Sequence, residues 1–112
     1  MNNSEYILTA FRARTSARLT KIGCSGQALC RMWQDAGAKD PQINEEFEAR
    51  VGAPPMHDYT WGRVLVRDKV SLSDVCRIAE MMNVTPKALL FGPESEMLNA
   101  PLPNIVEGFE NA

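Results

Sequence analysis

The stretch SLSDVCRIAEMMNVTPKALLFG, residues 71–92, carries the strongest structural signal in the sequence. Ser71 and Asp74 have the spacing of a capping box, in which side-chain oxygens bind amides left free at a helix start. Apolar residues then recur at helical spacing and form an amphipathic stripe: Leu72, Val75, Cys76, Ala79 and Met82. The TPKALLFG segment predicts a second, short helix that begins at Thr85 and ends at Gly92.

Helical signals continue towards the N-terminus, and no clear strand alternation competes with them. Helices are predicted over residues 5–22, 25–36 and 40–52, each bounded by a capping side chain or a glycine. Residues 56–66 also fit a helix, after the rigid Ala53-Pro54-Pro55 turn. Expected core residues are Trp33, Phe47, Val51, Trp61, Val75, Ala79, Leu89 and Leu90. The fold class is therefore predicted to be all-α, a compact domain of five or six helices.

The composition limits the class of protein. The chain has 112 residues, 45% of them apolar and 23% charged, which suits one compact domain with a buried core. A net charge of −2 excludes a strongly basic nucleic-acid coat protein and a strongly acidic disordered chain. Three cysteines without CxxC spacing argue against a disulfide framework and indicate a reducing compartment. No apolar run approaches the roughly 20 residues that a bilayer requires, so we expect a cytoplasmic protein without a membrane partner.

Charged residues are distributed unevenly along the chain. Residues 1–92 carry a net charge of +2 and residues 93–112 carry −4, with four glutamates and no basic residue. We therefore predict a helical body over residues 1–92 and an acidic, proline-containing tail over residues 93–112. The tail contains no strong helical signal, and the sequence leaves open whether it docks on the body or remains mobile.

Residues 61–92, WGRVLVRDKVSLSDVCRIAEMMNVTPKALLFG, resemble the C-terminal half of the phage-repressor and Cro-type (lambda-repressor-like) helix-turn-helix family. In that family, a recognition helix and a short basic loop lead into a helix of the form SLxxVxxIAxxxNV. A TPxxLLFG helix then closes the core. The resemblance implies that residues 44–52 and 56–65 form the two helices of a DNA-binding unit. It also implies that residues 5–22 take the first-helix role, with residues 24–40 as an insertion.

The resemblance places a set of polar and basic side chains on or beside the recognition helix: His57, Thr60, Arg63, Arg67 and Lys69. Arginine can bind guanine bidentately in the major groove, and a basic loop can hold phosphates. His57 and Thr60 lie near the helix start, where the dipole also favours phosphate. The alternative for this set is an ordinary solvated helix face. A second basic group on the first helix either follows a phosphate backbone or forms its solvated side: Arg12, Arg14, Arg18 and Lys21.

Few residues suit catalysis or metal binding. His57 is the only histidine, which excludes a serine-type triad and a multi-histidine metal site. Without a phosphate loop, paired catalytic carboxylates or a nucleophile motif, we expect neither an enzyme nor a bound cofactor or metal. Cys24, Cys30 and Cys76 are interpreted as small apolar fillers, although the helix start beside Cys24 could lower the pKa of its thiol.

These observations favour a small sequence-specific transcriptional regulator of the phage, plasmid or antitoxin type. Such a protein is expected to bind double-stranded DNA as a homodimer through residues 56–66 and the basic loop that follows them. The acidic tail would then act as a dimerisation segment, as a contact for a protein partner, or as a competitor for the basic face.

A helical protein-interaction module, such as a phage-type inhibitor or adaptor, is the alternative function. The net negative charge and the acidic residues 45–48 favour it. So do Glu48 and Asp58, which stand where the helix-turn-helix family has a small and an apolar residue. Steep loss of DNA affinity between about 50 and 200 mM salt would distinguish the regulator from the module.

Overall fold

A computed structural model describes residues 2–105, which form helices and no strand. The elements are α1 (Asn3–Ile22), α2 (Gly26–Lys39), α3 (Pro41–Val51), α4 (Asp58–Val64), α5 (Leu72–Met81), α6 (Pro86–Phe91) and α7 (Glu94–Asn99). The all-α prediction is confirmed, but the described residues contain seven helices where five or six were predicted. The additional helix, α7, lies in the predicted tail, whose remaining residues 106–112 are outside the described part of the chain.

Capping side chains set the helix starts. Asn2 accepts a 2.9 Å hydrogen bond from the amide of Glu5 at the start of α1, and Gly23 ends α1 with a left-handed φ of 92°. The caps of α2, α3, α5 and α6 are Ser25, Asp40, Ser71 and Thr85. Each supplies an acceptor for an amide that has no partner within its helix. Several helix boundaries therefore follow from short-range sequence alone.

The second helix occupies the centre of the packing. α2 contacts α3, α4 and α5, whereas α1 packs against α6 and α7, and contact between α5 and α6 joins the two groups. Leu29, Cys30 and Trp33 of α2 are buried in the core. Residues 24–40, which the resemblance implies are an insertion, therefore supply part of the hydrophobic core.

The core contains most of the residues expected there. Val51 and Leu90 are only partly buried, and the other six of the eight predicted core residues are buried: Trp33, Phe47, Trp61, Val75, Ala79 and Leu89. Leu72 was predicted to lie in the apolar stripe of α5, but its side chain is 75% exposed. Leu72 is the first residue of α5 and lies beyond the part of the helix that packs. No helix within residues 2–105 is long and apolar enough to cross a bilayer.

The burial of the Arg18 side chain is the largest difference between the structure and the sequence-based prediction. Its predicted place was the basic, solvated side of α1, but the side chain is fully buried. The guanidinium donates hydrogen bonds of 2.8–3.1 Å to four backbone carbonyls, those of Met82, Met97, Ala100 and Pro101. Burial lowers the pKa of Arg18 because desolvation penalises the charged form. Carbonyl dipoles, rather than a carboxylate, offset the cost of burying this charge.

Arg18 attaches a segment that we call the C-terminal strap, residues 93–105. Met97 of the strap is fully buried, and Asn83 donates a 2.8 Å hydrogen bond to the carbonyl of Pro101. Glu94 forms a 2.6 Å ion pair with Arg14 of α1. The strap therefore docks on the body through apolar burial, hydrogen bonds to carbonyls and one ion pair.

A substitution at Leu89 tests how the short helix α6 packs in the core. Its side chain is fully buried, so Leu89→Ala should lower the free energy of unfolding by about 2–5 kcal/mol through lost transfer energy and a residual cavity. Urea denaturation measures this change. Phe91→Ala on the same helix is the matched control, because Phe91 is exposed and should shift stability by less than about 0.5 kcal/mol. An equally small loss for Leu89→Ala would show that Leu89 is not in the core.

Candidate functional site

Helix α4 presents two different faces. Trp61 and Val64 point into the core and are buried, whereas Tyr59 and Arg63 are exposed to solvent. The helix runs from Asp58 to Val64 and is shorter than the predicted 56–66. Met56 is fully buried in extended chain after the two prolines, where its amide donates to the sulfur of Met81. Met56 is therefore not part of the helix, and α4 begins two residues later, at Asp58.

The five side chains predicted to contact DNA lie on α4, at its start, or in the loop that follows it. His57 is the exposed N-cap residue of α4 but makes no capping hydrogen bond with its side chain. Thr60 is half-buried and Arg63 is exposed on the helix. Arg67 and Lys69 are both exposed in the loop between α4 and α5. Four of the five are therefore accessible to a large partner.

Two acidic residues lie close to these cations in sequence: Asp68, between Arg67 and Lys69, and Asp58 of α4. Arg63, Arg67 and Lys69 form no ion pair within residues 2–105. Asp58, the acidic residue of α4, instead pairs with Arg31 of α2 at 3.3 Å. The Arg63 guanidinium lies over the Tyr59 ring, 5.4 Å from its centroid, in cation–π geometry. An exposed arginine is thus held in a defined position on the outer face of α4.

The first helix supports the basic loop. Arg12 of α1 donates a hydrogen bond to the carbonyl of Arg67, and the Nε of Arg12 is buried without a partner among the described residues. Sequence analysis placed Arg12 only in a general basic group on α1. The contact joins residues 55 positions apart, so no local sequence signal could reveal it.

Exposed apolar side chains accompany the cations, and the sequence analysis did not single them out as functional. Tyr59 is 70% exposed and Val66 is 78% exposed, and Leu72 follows at the start of α5. Tyr59 and Arg63 are four residues apart, a spacing that places two side chains on one helix face. That spacing was the available signal for the Tyr59–Arg63 pair.

The thiols of Cys24 and Cys30 do not have the lowered pKa of a reactive cysteine. Burial raises the pKa of the Cys24 thiol, which agrees with the interpretation of Cys24 as an apolar filler rather than with a pKa lowered by the nearby helix start. Burial, with a smaller effect from Asp58, raises the pKa of Cys30 to about 12. Both thiols are therefore protonated at neutral pH and are poor nucleophiles or metal ligands. Within residues 2–105, no three His, Cys, Asp or Glu side chains group in a way that could hold a metal ion.

Comparisons of the chain with protein-family models, with curated proteins and with solved structures found no match. The resemblance of residues 61–92 to the helix-turn-helix family therefore rests on the motifs quoted above.

Proposed function

We propose that this protein is a small sequence-specific DNA-binding regulator of the helix-turn-helix type. The observation that carries the proposal is the outer face of α4, where Arg63 is exposed, lies over the Tyr59 ring and forms no ion pair with a described residue. Base edges in the major groove are read by side chains of this kind when they project from a helix. His57, at the start of α4, and Thr60 lie near Arg63 in sequence and add hydrogen-bonding groups.

The loop after α4 supplies the second part of the proposed interface. Arg67 and Lys69 are exposed cations that would bind phosphates and fix the position of α4 on the duplex. The hydrogen bond from Arg12 to the carbonyl of Arg67 restrains the loop from the side of the body. In the described part of the acidic tail, α7 packs against α1 and α6, and Glu94 pairs with Arg14 of α1.

The proposed regulator acts as a homodimer. The helix α4 has seven residues and offers one recognition surface, which is a small contact for specific binding. Two copies on paired half-sites would place two such helices in successive major grooves. The mass of the protein in solution, alone and with DNA, measures this directly.

Arg63 and Arg67 provide the experiment that tests the proposal. A binding site is first selected from a genomic DNA library with the purified protein. Arg63→Ala should then weaken binding to that site by about 1–3 kcal/mol and relax the preference at one base pair. Arg67→Ala should weaken binding to all sequences and lower the salt slope by about one, as expected of a phosphate contact.

Lys87→Ala is the matched control for these variants. Lys87 is an exposed cation of α6, a helix that packs against α1, α5 and α7 and not in the α4 region. Its substitution removes the same charge and should leave base preference unchanged. If folded Arg63→Ala and Arg67→Ala proteins bind DNA as the parent does, α4 is not the DNA-reading helix.

A helical protein-interaction module is the second candidate function. The exposed side chains of Tyr59, Val66 and Leu72 favour it, because large apolar groups on a surface often mark protein contacts. α3 adds an exposed acidic side through Glu45, Glu46 and Glu48. Failure of the folded protein to select any DNA fragment would contradict the regulator and favour this module.

A further inference from the structure

The solvent-facing side of α1 is uncharged over most of its length. The exposed residues between Glu5 and Lys21 are all neutral: Tyr6, Thr9, Ala13, Ser16, Ala17 and Thr20. Tyr6 is 68% exposed, so a large aromatic ring faces solvent there. The outer side of a helix in a globular protein is usually rich in charged residues. This side of α1 therefore differs from an ordinary solvated helix face.

The arginines of α1 are turned towards the body of the protein instead. Arg18 is fully buried, and Arg14 forms its ion pair with Glu94. Arg12 donates to the carbonyl of Arg67. Three cations of the helix are thus used for internal contacts, and the outer side is left to small neutral residues and one tyrosine.

A row of exposed residues at four-residue spacing runs along this outer side: Glu5, Thr9, Ala13, Ala17 and Lys21. Residues four positions apart form one of the surface ridges through which helices pack. The row begins with an anion and ends with a cation, and Ala13 lies midway between them. Neither Glu5 nor Lys21 forms an ion pair within residues 2–105. The row is therefore complementary in charge to the same row running in the opposite direction.

We propose that this side of α1 is the interface between two copies of the protein, whose α1 helices pack antiparallel about a two-fold axis at Ala13. An interface of this symmetry requires a surface that is complementary to itself. The axis brings Glu5 of each copy to Lys21 of the other copy. The proposal rests on the homodimer of the proposed function and names its contact surface, and none of the residues proposed to contact DNA lies in that surface.

The geometry of helix packing supports this arrangement. When the four-residue ridges of two helices interdigitate, the helices cross at about −50°, which is the commonest class in globular proteins. At this angle the row of one copy runs along the row of the other, so Glu5 and Lys21 meet at both ends of the contact. The small side chains of Ala13 and Ala17 allow the two backbones to approach closely.

The sizes of the side chains also favour an antiparallel pair over a parallel one. Tyr6 lies near one end of the face, and Ala17 and Thr20 lie near the other. An antiparallel pair places each Tyr6 ring on the small residues of the other copy and removes it from water. A parallel pair would set the two Glu5 carboxylates against each other. A second copy of the chain therefore fits both the charge and the shape of this face.

Sedimentation of the full-length protein over a range of concentrations, without DNA, tests the interface. The parent should dimerise, and Ala13→Glu should raise the dissociation constant at least about a hundredfold, because the axis sets the two introduced carboxylates against each other. Ala38→Glu is the matched control, since Ala38 is an exposed alanine of α2 outside the face, and the dimer should not change. Circular dichroism shows whether each variant is folded.

Exchange of the two charges tests the antiparallel register. Glu5→Lys or Lys21→Glu alone sets like charges together twice in the dimer and should raise the dissociation constant about tenfold at low salt. The double variant restores opposite charges and should return the constant to within about threefold of the parent value. It opposes the dipole of α1 at both ends, so this recovery would not come from a more stable helix.

Three results would overturn the proposal. A folded Ala13→Glu protein that dimerises like the parent would place the contact elsewhere and leave the homodimer of the proposed function intact. A double variant that dimerises no better than the single variants would exclude the antiparallel register, and this exchange decides if Ala13→Glu does not fold. A parent that is monomeric at about 1 mM would exclude the interface, while Arg63→Ala and Arg67→Ala would still test DNA binding by α4.

Discussion

Arg18→Met is expected to lower the free energy of unfolding by at least about 3 kcal/mol, as measured by urea denaturation. The reason is the set of four backbone carbonyls that accept from the Arg18 guanidinium: the contacts to Met82 and Met97 are buried, and those to Ala100 and Pro101 are partly buried. Each buried acceptor left without a donor costs about 1–3 kcal/mol, and methionine fills the volume without replacing any donor. Such a loss is a large fraction of the total stability of a small domain.

Two companion variants show that the effect belongs to the guanidinium. Arg18→Lys keeps the charge but loses the planar five-donor fork, so it should also destabilise the protein. Lys21→Met removes an exposed cation from the same helix and should change stability by less than about 0.5 kcal/mol. An Arg18→Met protein as stable as the parent would show that the carbonyls do not depend on Arg18.

Deletion of residues 93–112 is expected to lower stability by more than about 5 kcal/mol, enough to unfold most of the protein at 37 °C. It removes the fully buried Met97 and three of the four carbonyls that accept from Arg18. A buried guanidinium would then lack most of its acceptors. Circular dichroism during thermal unfolding, compared with the parent, measures the loss.

Deletion of residues 106–112 alone is the matched control. The difference in stability between the two deletions measures the contribution of the C-terminal strap, residues 93–105. This test bears on the acidic tail as well, because removal of residues 93–112 changes the net charge from −2 to +2. A deletion protein that remains folded and binds DNA more tightly at low salt would contradict the structural role of the strap and favour a shielding tail.

The amino-acid sequence alone determined the helical class and most helix boundaries. Ser71 caps α5 by accepting from the amide of Asp74, at 3.0 Å, and Thr85 caps α6 by accepting from the amide of Ala88. Each of these contacts spans three residues, so the interacting groups are visible in a short window of sequence. The burial of Val75 and Ala79 followed in the same way from helical periodicity.

The sequence predicted which residues belong to the candidate site, but not the length and position of the helix that carries them. His57, Thr60, Arg63, Arg67 and Lys69 were all named in advance, and the structure places them on α4, at its start, or in the following loop. The length of α4 was overestimated, because periodicity cannot show that Met56 is anchored in the core by Met81.

Only the tertiary structure decided which charged side chains are buried and which are exposed. Arg18 and Lys21 lie three residues apart on α1 and look alike in sequence, yet Arg18 is fully buried and Lys21 is exposed. The difference arises because the strap brings the carbonyls of Met97, Ala100 and Pro101, about 80 residues away, over Arg18. A charge is buried only where enough oppositely polarised groups converge on it. That convergence depends on how distant segments pack, which no local pattern of residues contains.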